Sequence, residues 1–249
     1  MISENRILRK VRDKVPVFGP LINFSSPWFV DVVGATGFDF VLLDAEHGPL
    51  SLESAEQMIR AAESAGMTPL VRVPANVPYE ILRFLDIGAM GVQVPQLNSA
   101  ADAKTAANAV RFPPRGTRGL ATLPRAGGYG IGPSAPEYIE MANREIVLMA
   151  MVETREGVEH IDAIADTEGV DIIAIGPGDL SASMGFQGDR NAPAVRDAVD
   201  HVIERAHAHG RWVSLPATDI DSAVRWSSEA WKSFNSCLGR GCIASASTF

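Results

Sequence analysis

An α/β fold in which a parallel sheet closes into a single (β/α)8 TIM barrel is predicted by three observations. Eight short apolar runs, of the kind that make strands buried on both faces, are spread along the chain. Amphipathic segments of helical length separate them, so strand and helix alternate throughout. A chain of 249 residues, 46% hydrophobic and 21% charged, can bury a large core and has the usual size of one such barrel. An open doubly wound sheet shares much of this pattern, but eight alternations at this length favour closure. One domain over 1–249 is therefore expected.

In chain order, the first strand is expected at 17–24 (VFGPLINF) and is followed by a helix at 27–36. The second, FDFVLLD at 38–44, leads into a helix at 51–65, and the third, TPLVRV at 68–73, into one at 78–87. GVQVP at 91–95 is the fourth strand, with a helix at 99–110. IVLMAMVE at 146–153 and VDIIAIG at 170–176 are the fifth and sixth, followed by helices at 157–166 and 193–209. RWVSLP at 211–216, a helix at 219–230 and SFNSCLG at 233–239 complete the set. Several of these helices are announced by Ser, Thr or Asp near the first turn.

The long stretch 111–145 is rich in Gly and Pro and reads as an irregular lid, binding loop or oligomer contact. Its Arg111, Arg115, Arg118 and Arg125 can meet an acidic substrate, or equally serve as solvated or inter-subunit cations.

Composition excludes several classes. A net charge of −8 with a pI near 5.1, and no basic run, argues against nucleic acid or an anionic membrane surface. No apolar stretch approaches the roughly 20 residues of a bilayer span, and the basic start MISENRILRKVRDK leads into no apolar segment of the secretory type. A cytoplasmic protein with a small-molecule partner is expected. Cys237 and Cys242 have neither a redox nor a metal-framework spacing and read as ordinary thiols.

In a barrel of this kind the site lies at the C-terminal ends of the strands, so the polar residues that close each apolar run are the candidates. They are Asp44, Glu46 and His47 after the second run, Arg72 in the third, Gln93 and Gln96 around the fourth, Glu153 after the fifth and Asp179 after the sixth. Glu153 and Asp179, if on neighbouring strands, can reach one ion; without His or Cys they form a hard oxygen site suited to Mg2+ or Mn2+, with positions open to water or a 2-keto acid. Taken singly, Glu153 reads as an ion-pair carboxylate beside Arg155, and Asp179 as an N-cap for LSASMG. The GPGD turn also exposes backbone N–H groups at the start of a possible helix. Asp44, three residues before His47, can orient its imidazole. Arg72, a cation in an apolar strand, calls for a partner or an anion.

FDFVLLDAEHGPLS (38–51), VRVP (71–74), PPRGTRG (113–119), MVETREGVEHIDAIADTEGVD (151–171) and IGPGDLSASMG (175–185) together resemble the HpcH/HpaI family of metal-dependent pyruvate aldolases, over about residues 17–216. The resemblance implies a phosphoenolpyruvate/pyruvate-type barrel in which Glu153 and Asp179 hold a divalent cation, Mg2+ or Mn2+, with Co2+ as a third option. It implies that Arg72 contacts the keto and enolate oxygen of pyruvate, that His47, oriented by Asp44, is the acid/base group, and that the N–H groups of Gly178 and Asp179 receive the pyruvate carboxylate. Leu120 and Leu215 match positions on the aldehyde side. The implied reaction is reversible cleavage of a 4-hydroxy-2-keto acid to pyruvate and an aldehyde, in a homo-oligomer, trimer or hexamer. Lys104 and Lys232 lie in or beside helical segments, and no lysine stands at the collected strand ends, which weighs against a Schiff-base aldolase.

The chain departs from the family at three places: Met151 where many members carry Gln, Leu21 where Trp is frequent, and an atypical C-terminal segment 237–249 without the usual Gly-x-Asp strand end and final helix. Two other readings stay open: an oxaloacetate decarboxylase or related C–C lyase on the same site, and a non-catalytic barrel that binds a keto acid.

Overall fold

The computed structural model describes residues 2–217 and 242–246. Eight parallel strands are hydrogen-bonded in chain order: β1 (Val17–Ile22), β2 (Phe40–Asp44), β3 (Thr68–Arg72), β4 (Gly91–Val94), β5 (Val147–Val152), β6 (Ile172–Ile175), β7 (Trp212–Ala217) and β8 (Cys242–Ala246). The last pairs with β7 on one side and β1 on the other, which closes the sheet on itself.

The strands are buried on both faces, as a parallel sheet covered by helices requires. Alternate residues turn to opposite sides. Phe40, Leu42, Leu70, Val147, Met149, Met151, Ile172 and Trp212 fill the barrel interior. Val41, Leu43, Val71, Val92, Leu148, Ala150, Ile173, Val213 and Leu215 face the surrounding helices. Gly19 is where β1 passes closest to its neighbour: a Cβ there would stand 2.2 Å from the Phe40 carbonyl oxygen.

Helices follow the strands as expected: α2 (Pro27–Ala35), α3 (Leu52–Ser64), α4 (Pro78–Asp86), α5 (Ala100–Val110) and α10 (Pro193–Ala208). Ser26, Ser51 and Ser99 cap α2, α3 and α5 by accepting backbone N–H bonds. The helix expected at 157–166 is two short pieces, α7 (Arg155–Glu159) and α8 (Ile161–Asp166), which meet at the non-helical His160.

The structure corrects the sequence reading in three further places. A helix the pattern did not suggest, α1 (Arg6–Arg12), sends Ile7, Leu8 and Val11 into the interior cluster and plugs the N-terminal mouth of the barrel. Its start is fixed by Asn5, whose side chain accepts from the N–H groups of Ile7 and Leu8 and donates to the carbonyls of Met90 and Glu145. The stretch 111–145 is not irregular throughout. A 3-10 turn occupies Arg125–Gly130, and α6 spans Ala135–Glu145 behind a capping box of Ser134 and Glu137. The Gly and Pro content before Ser134 hid that signal. Finally, the eighth strand is Cys242–Ala246, inside the segment that had looked atypical. The run 233–239 first chosen for it, the helix expected at 219–230, and Cys237 lie outside the described residues.

Candidate active site

Register brings Asp44 and Arg72 together, because they are Cα partners at the ends of β2 and β3. Arg72 donates from Nε to Asp44 Oδ1 at 2.9 Å and from Nη2 to Asp44 Oδ2 at 2.6 Å, a bidentate pair on buried side chains. Its Nε also lies 3.3 Å from Glu46 Oε2. Burial pushes the Asp44 carboxyl up, but the Arg72 guanidinium and the N–H groups of His47 and Glu46 outweigh it and hold Asp44 below its ordinary value. Arg72, although burial pulls it down, is raised by Asp44, Glu46 and Glu153. The cost of a cation in an apolar strand is thereby offset by ion pairing.

Asp44 does not orient the His47 imidazole, as its spacing had suggested. Its Oδ1 accepts from the backbone N–H groups of Glu46 at 3.1 Å and His47 at 3.2 Å, shaping the turn after β2 instead. The imidazole's acidic neighbour is Glu46, with Nε2 3.8 Å from Oε2, and the His47 side chain is 62% exposed at the mouth. Glu46 is raised by burial, against the opposing pull of Arg72 and His47.

The second half of the site comes from β5 and β6. Val152 pairs with Ile175 and the Gly176 N–H donates to the Val152 carbonyl, so Glu153 lies alongside Gly176, three residues before Asp179. The fit leaves no space: a Cβ on Gly176 would stand 2.6 Å from Glu153 Oε2. Glu153 does not pair with Arg155, which instead bonds Ser183 Oγ through its backbone N–H and the Met184 carbonyl through its guanidinium. Nor is Asp179 an N-cap; that position in α9 (Pro177–Ser183) is Gly176, with Asp179 in the first turn. Glu153, 3% exposed, is pushed up to about 7 by burial, with the Gln96 N–H opposing and the nearby carboxyls of Asp179 and Glu46 adding to the rise. Gln96 has a left-handed backbone, φ 55°, a conformation costly for a residue with a Cβ. It aims its N–H at Glu153 Oε1, 2.9 Å away.

A cavity of about 240 Å³ opens at the C-terminal mouth, and its walls include His47, Arg72, Gln93, Met151, Gly178 and Asp179, with Asp44 and Glu153 buried behind Arg72 and Gly176. Leu21 lines it too, and Met151 Sδ accepts from Gln93 Nε2 at 2.9 Å. The departures at positions 21 and 151 are therefore substitutions in the pocket wall itself. Leu215 is not at the site: it is 1% exposed and packs toward the helices, while its neighbours Ser214 and Pro216 line the cavity. The alternation of β7 dictates that swap. Leu120 is 49% exposed and is not in the cavity wall of this chain.

The four loop arginines are structural. Arg111 pairs with Asp171 at 2.8 Å, and Arg118 with Asp86 at 2.8 Å while stacked 4.6 Å over the Phe112 ring. Arg125 pairs with Glu63, and Arg115 donates to the Asn143 carbonyl. Sequence reading also missed Arg190, which lines the cavity beside Gly178; a lone arginine in a Gly-rich turn carries little signal.

Whether these residues suit a divalent cation can be judged from their chemistry. The donors are carboxyl oxygens, and Glu153 is buried against two other acids with one oxygen committed to a backbone N–H. Among the described residues no group of three or more His, Cys, Asp and Glu is placed to hold a metal ion, so protein ligands beyond a carboxylate pair are not offered. Two carboxylates with open positions fit a hard cation that keeps water or substrate in its shell.

A family model described as HpcH/HpaI aldolase/citrate lyase matches residues 19–234. The 5-keto-4-deoxy-D-glucarate aldolase of Enterobacter sp. (strain 638) is 38% identical over 187 residues, 75% of this chain and 72% of that protein. Among solved structures, an HpcH/HpaI aldolase/citrate lyase family protein from Burkholderia cenocepacia J2315 superposes with a TM-score of 0.83 at 30% identity, covering 97% of this chain and 93% of the other. The HpcH/HpaI aldolase from Desulfitobacterium hafniense DCB-2 reaches 0.87 at 26% identity, covering 97% and 90%. With most of its length matched by the family model and its strand ends carrying the motif residues, the chain belongs to the HpcH/HpaI aldolase/citrate lyase family.

Proposed function

We propose that this protein is a divalent-metal-dependent aldolase that reversibly cleaves a 4-hydroxy-2-keto acid to pyruvate and an aldehyde, on a complete (β/α)8 barrel of the phosphoenolpyruvate/pyruvate type. The observation that carries the proposal is that Arg72, held by Asp44, and Asp179, beside the corner where Glu153 packs on Gly176, line one cavity. A sugar-acid substrate, like the one named for the 38% identical relative, is the first to test.

Glu153 and Asp179 would hold the cation, Mg2+ or Mn2+, with Co2+ also suited to the oxygen donors. Once bound, it supplies Lewis-acid stabilisation of developing negative charge on the substrate oxygen. The remaining work falls to the chain. The N–H groups of Gly178 and Asp179, in the first turn of α9 and without intrahelical acceptors, hold the keto-acid carboxylate. His47, at the open side, takes the proton from the C4 hydroxyl directly or through a water. As the C3–C4 bond breaks, its electron pair moves into the C2–C3 bond and onto the C2 oxygen. Arg72, fixed by Asp44 and therefore pre-oriented, faces that charge with no reorganisation. The proton held by His47, passed directly or through a water to C3, then gives pyruvate and restores the base. A homo-oligomer, trimer or hexamer, belongs to the same reading and rests on the family resemblance; a cytoplasmic location is proposed with it.

The test is pyruvate release from 4-hydroxy-2-keto acids with Mg2+ or Mn2+ added, and its loss on EDTA treatment. Glu153→Ala and Asp179→Ala should each lower kcat by about a thousandfold or more, the scale of removing charge stabilisation from a transition state. Activity retained in either variant, or indifferent to EDTA, overturns the proposal; oxaloacetate as a far better pyruvate source would turn it toward a decarboxylase.

A further inference from the structure

The site holds one carboxyl more than the proposed divalent cation and Arg72 together balance. Asp44, Glu46, Glu153 and Asp179 are four carboxyl groups at this mouth of the barrel, of which Asp179 lines the cavity, and Arg72, the buried cation among them, is already committed to Asp44 and Glu46. A keto acid brings a further negative charge into this acidic setting.

Arg190 meets that need. It lines the cavity, and among the described residues it has neither a hydrogen bond nor an ion pair. Its Nη2 stands 3.3 Å and its Nε 3.4 Å from the point that a side chain on Gly178 would occupy, so the guanidinium fills the space left by that glycine. The turn that carries it is anchored by backbone bonds from Phe186 to Ser181 at 2.8 Å and from Asp189 to Phe186 at 2.9 Å. Beyond Arg190 the Ala192 N–H donates to the Asp189 carbonyl at 3.4 Å, so the chain is held on both sides of it.

We infer that Arg190 is a substrate-binding residue whose guanidinium receives the C1 carboxylate of the 2-keto acid, on the outer side of the N–H groups of Gly178 and Asp179. The inference rests on the aldolase reading for the place of that carboxylate. Its physical basis is the bidentate match of guanidinium and carboxylate, worth more in a partly enclosed cavity than in open water. Because the carboxylate is common to every keto acid, Arg190 contributes to binding of all of them, and of pyruvate itself.

Calorimetric titration of the Mg2+-supplemented protein with pyruvate and with its neutral methyl ester tests this. Arg190→Ala should weaken pyruvate binding by about tenfold to a hundredfold, the range of a lost hydrogen bond to a charged group. The ester should be bound as before, which also shows that the pocket remains folded, and Arg190→Lys should recover part of the loss. Unchanged pyruvate affinity in Arg190→Ala, or a loss confined to substrates with a second carboxylate, overturns the inference. Wild-type protein that binds no pyruvate with Mg2+ present overturns the aldolase reading and this one together; binding that ignores Arg190 overturns this one only.

Discussion

The same strands end in different chemistry at the two mouths of the barrel. At the N-terminal mouth α1 inserts Ile7, Leu8 and Val11 against Val17, Phe40, Leu70 and Val147, and the interior is closed with apolar contacts. At the other mouth, a few residues further along, the same interior-facing rows continue as Asp44, Arg72, Gln93 and Ser214, and a cavity opens among them. One end buries apolar surface against apolar surface. The other gathers like charges, holds Glu153 far above its ordinary value, and strains the backbone at Gln96. A barrel divided in this way can keep a costly site because the opposite end supplies the packing that holds the strands.

The contrast can be broken most forcefully at the plug. Ile7 is fully buried, and Ile7→Ala should cost about 2–5 kcal/mol of unfolding free energy, the usual penalty for a large-to-small change in a core. Because Ile7 is at the far end, kcat should be preserved wherever the variant stays folded; denaturant titration beside steady-state kinetics checks both. A fall in kcat matching the fall in stability would show that the two ends are not separable.

The opposite outcome is expected at Glu153. Its folded-state value of about 7 lies above the ordinary 4.5, so the folded metal-free protein holds a proton that the unfolded chain releases earlier. Stability is full below about pH 4.5 and declines as pH rises through 7, by about 3 kcal/mol for a shift of this size. Glu153→Gln removes the titration. In EDTA at pH 8 it should melt at a higher temperature than wild type, with the gap closing near pH 4.5, while added Mg2+ raises the melting temperature of wild type alone. Equal melting temperatures at pH 8 would show that the carboxylate carries no such cost.

The smallest effect belongs to Gln96. A glycine accepts the left-handed backbone freely and keeps the N–H bond to Glu153, whereas a β-branched side chain resists it. Gln96→Val should be about 1–2 kcal/mol less stable than Gln96→Gly and should bind metal more weakly, which thermal melts with and without Mn2+ would measure.

Much of the site was legible because it is built from strand ends. Asp44, Arg72 and Glu153 each close an apolar run, and in a parallel barrel those ends share one mouth, so listing them by position also grouped them in space. The reading failed where contact depends on something other than position. Asp44 reaches backbone N–H groups rather than the imidazole because the turn after β2 folds over its carboxylate. Leu215 and Ser214 exchanged roles because a one-residue error in a period-two strand turns a side chain to the other face. Arg190 is carried by a turn whose conformation comes from three positive-φ residues, Gly185, Gln187 and Gly188, and no periodicity marks such a turn. The plug α1 is short, polar on its outer side and apolar in three places, a pattern that gains meaning only against an open barrel end.

What the sequence determined by itself was the alternation of strand and helix, the order of the strands and the kinds of group placed at their ends, because these follow from local hydrophobic period and chain direction. What only the tertiary structure decided was which groups touch: Arg72 with Asp44, Glu153 with Gly176 and Gln96, Arg190 with Gly178. Such contacts depend on register between strands and on the curvature that brings the last strand back to the first, and both are set by packing across the whole barrel rather than by any neighbouring residues in the chain.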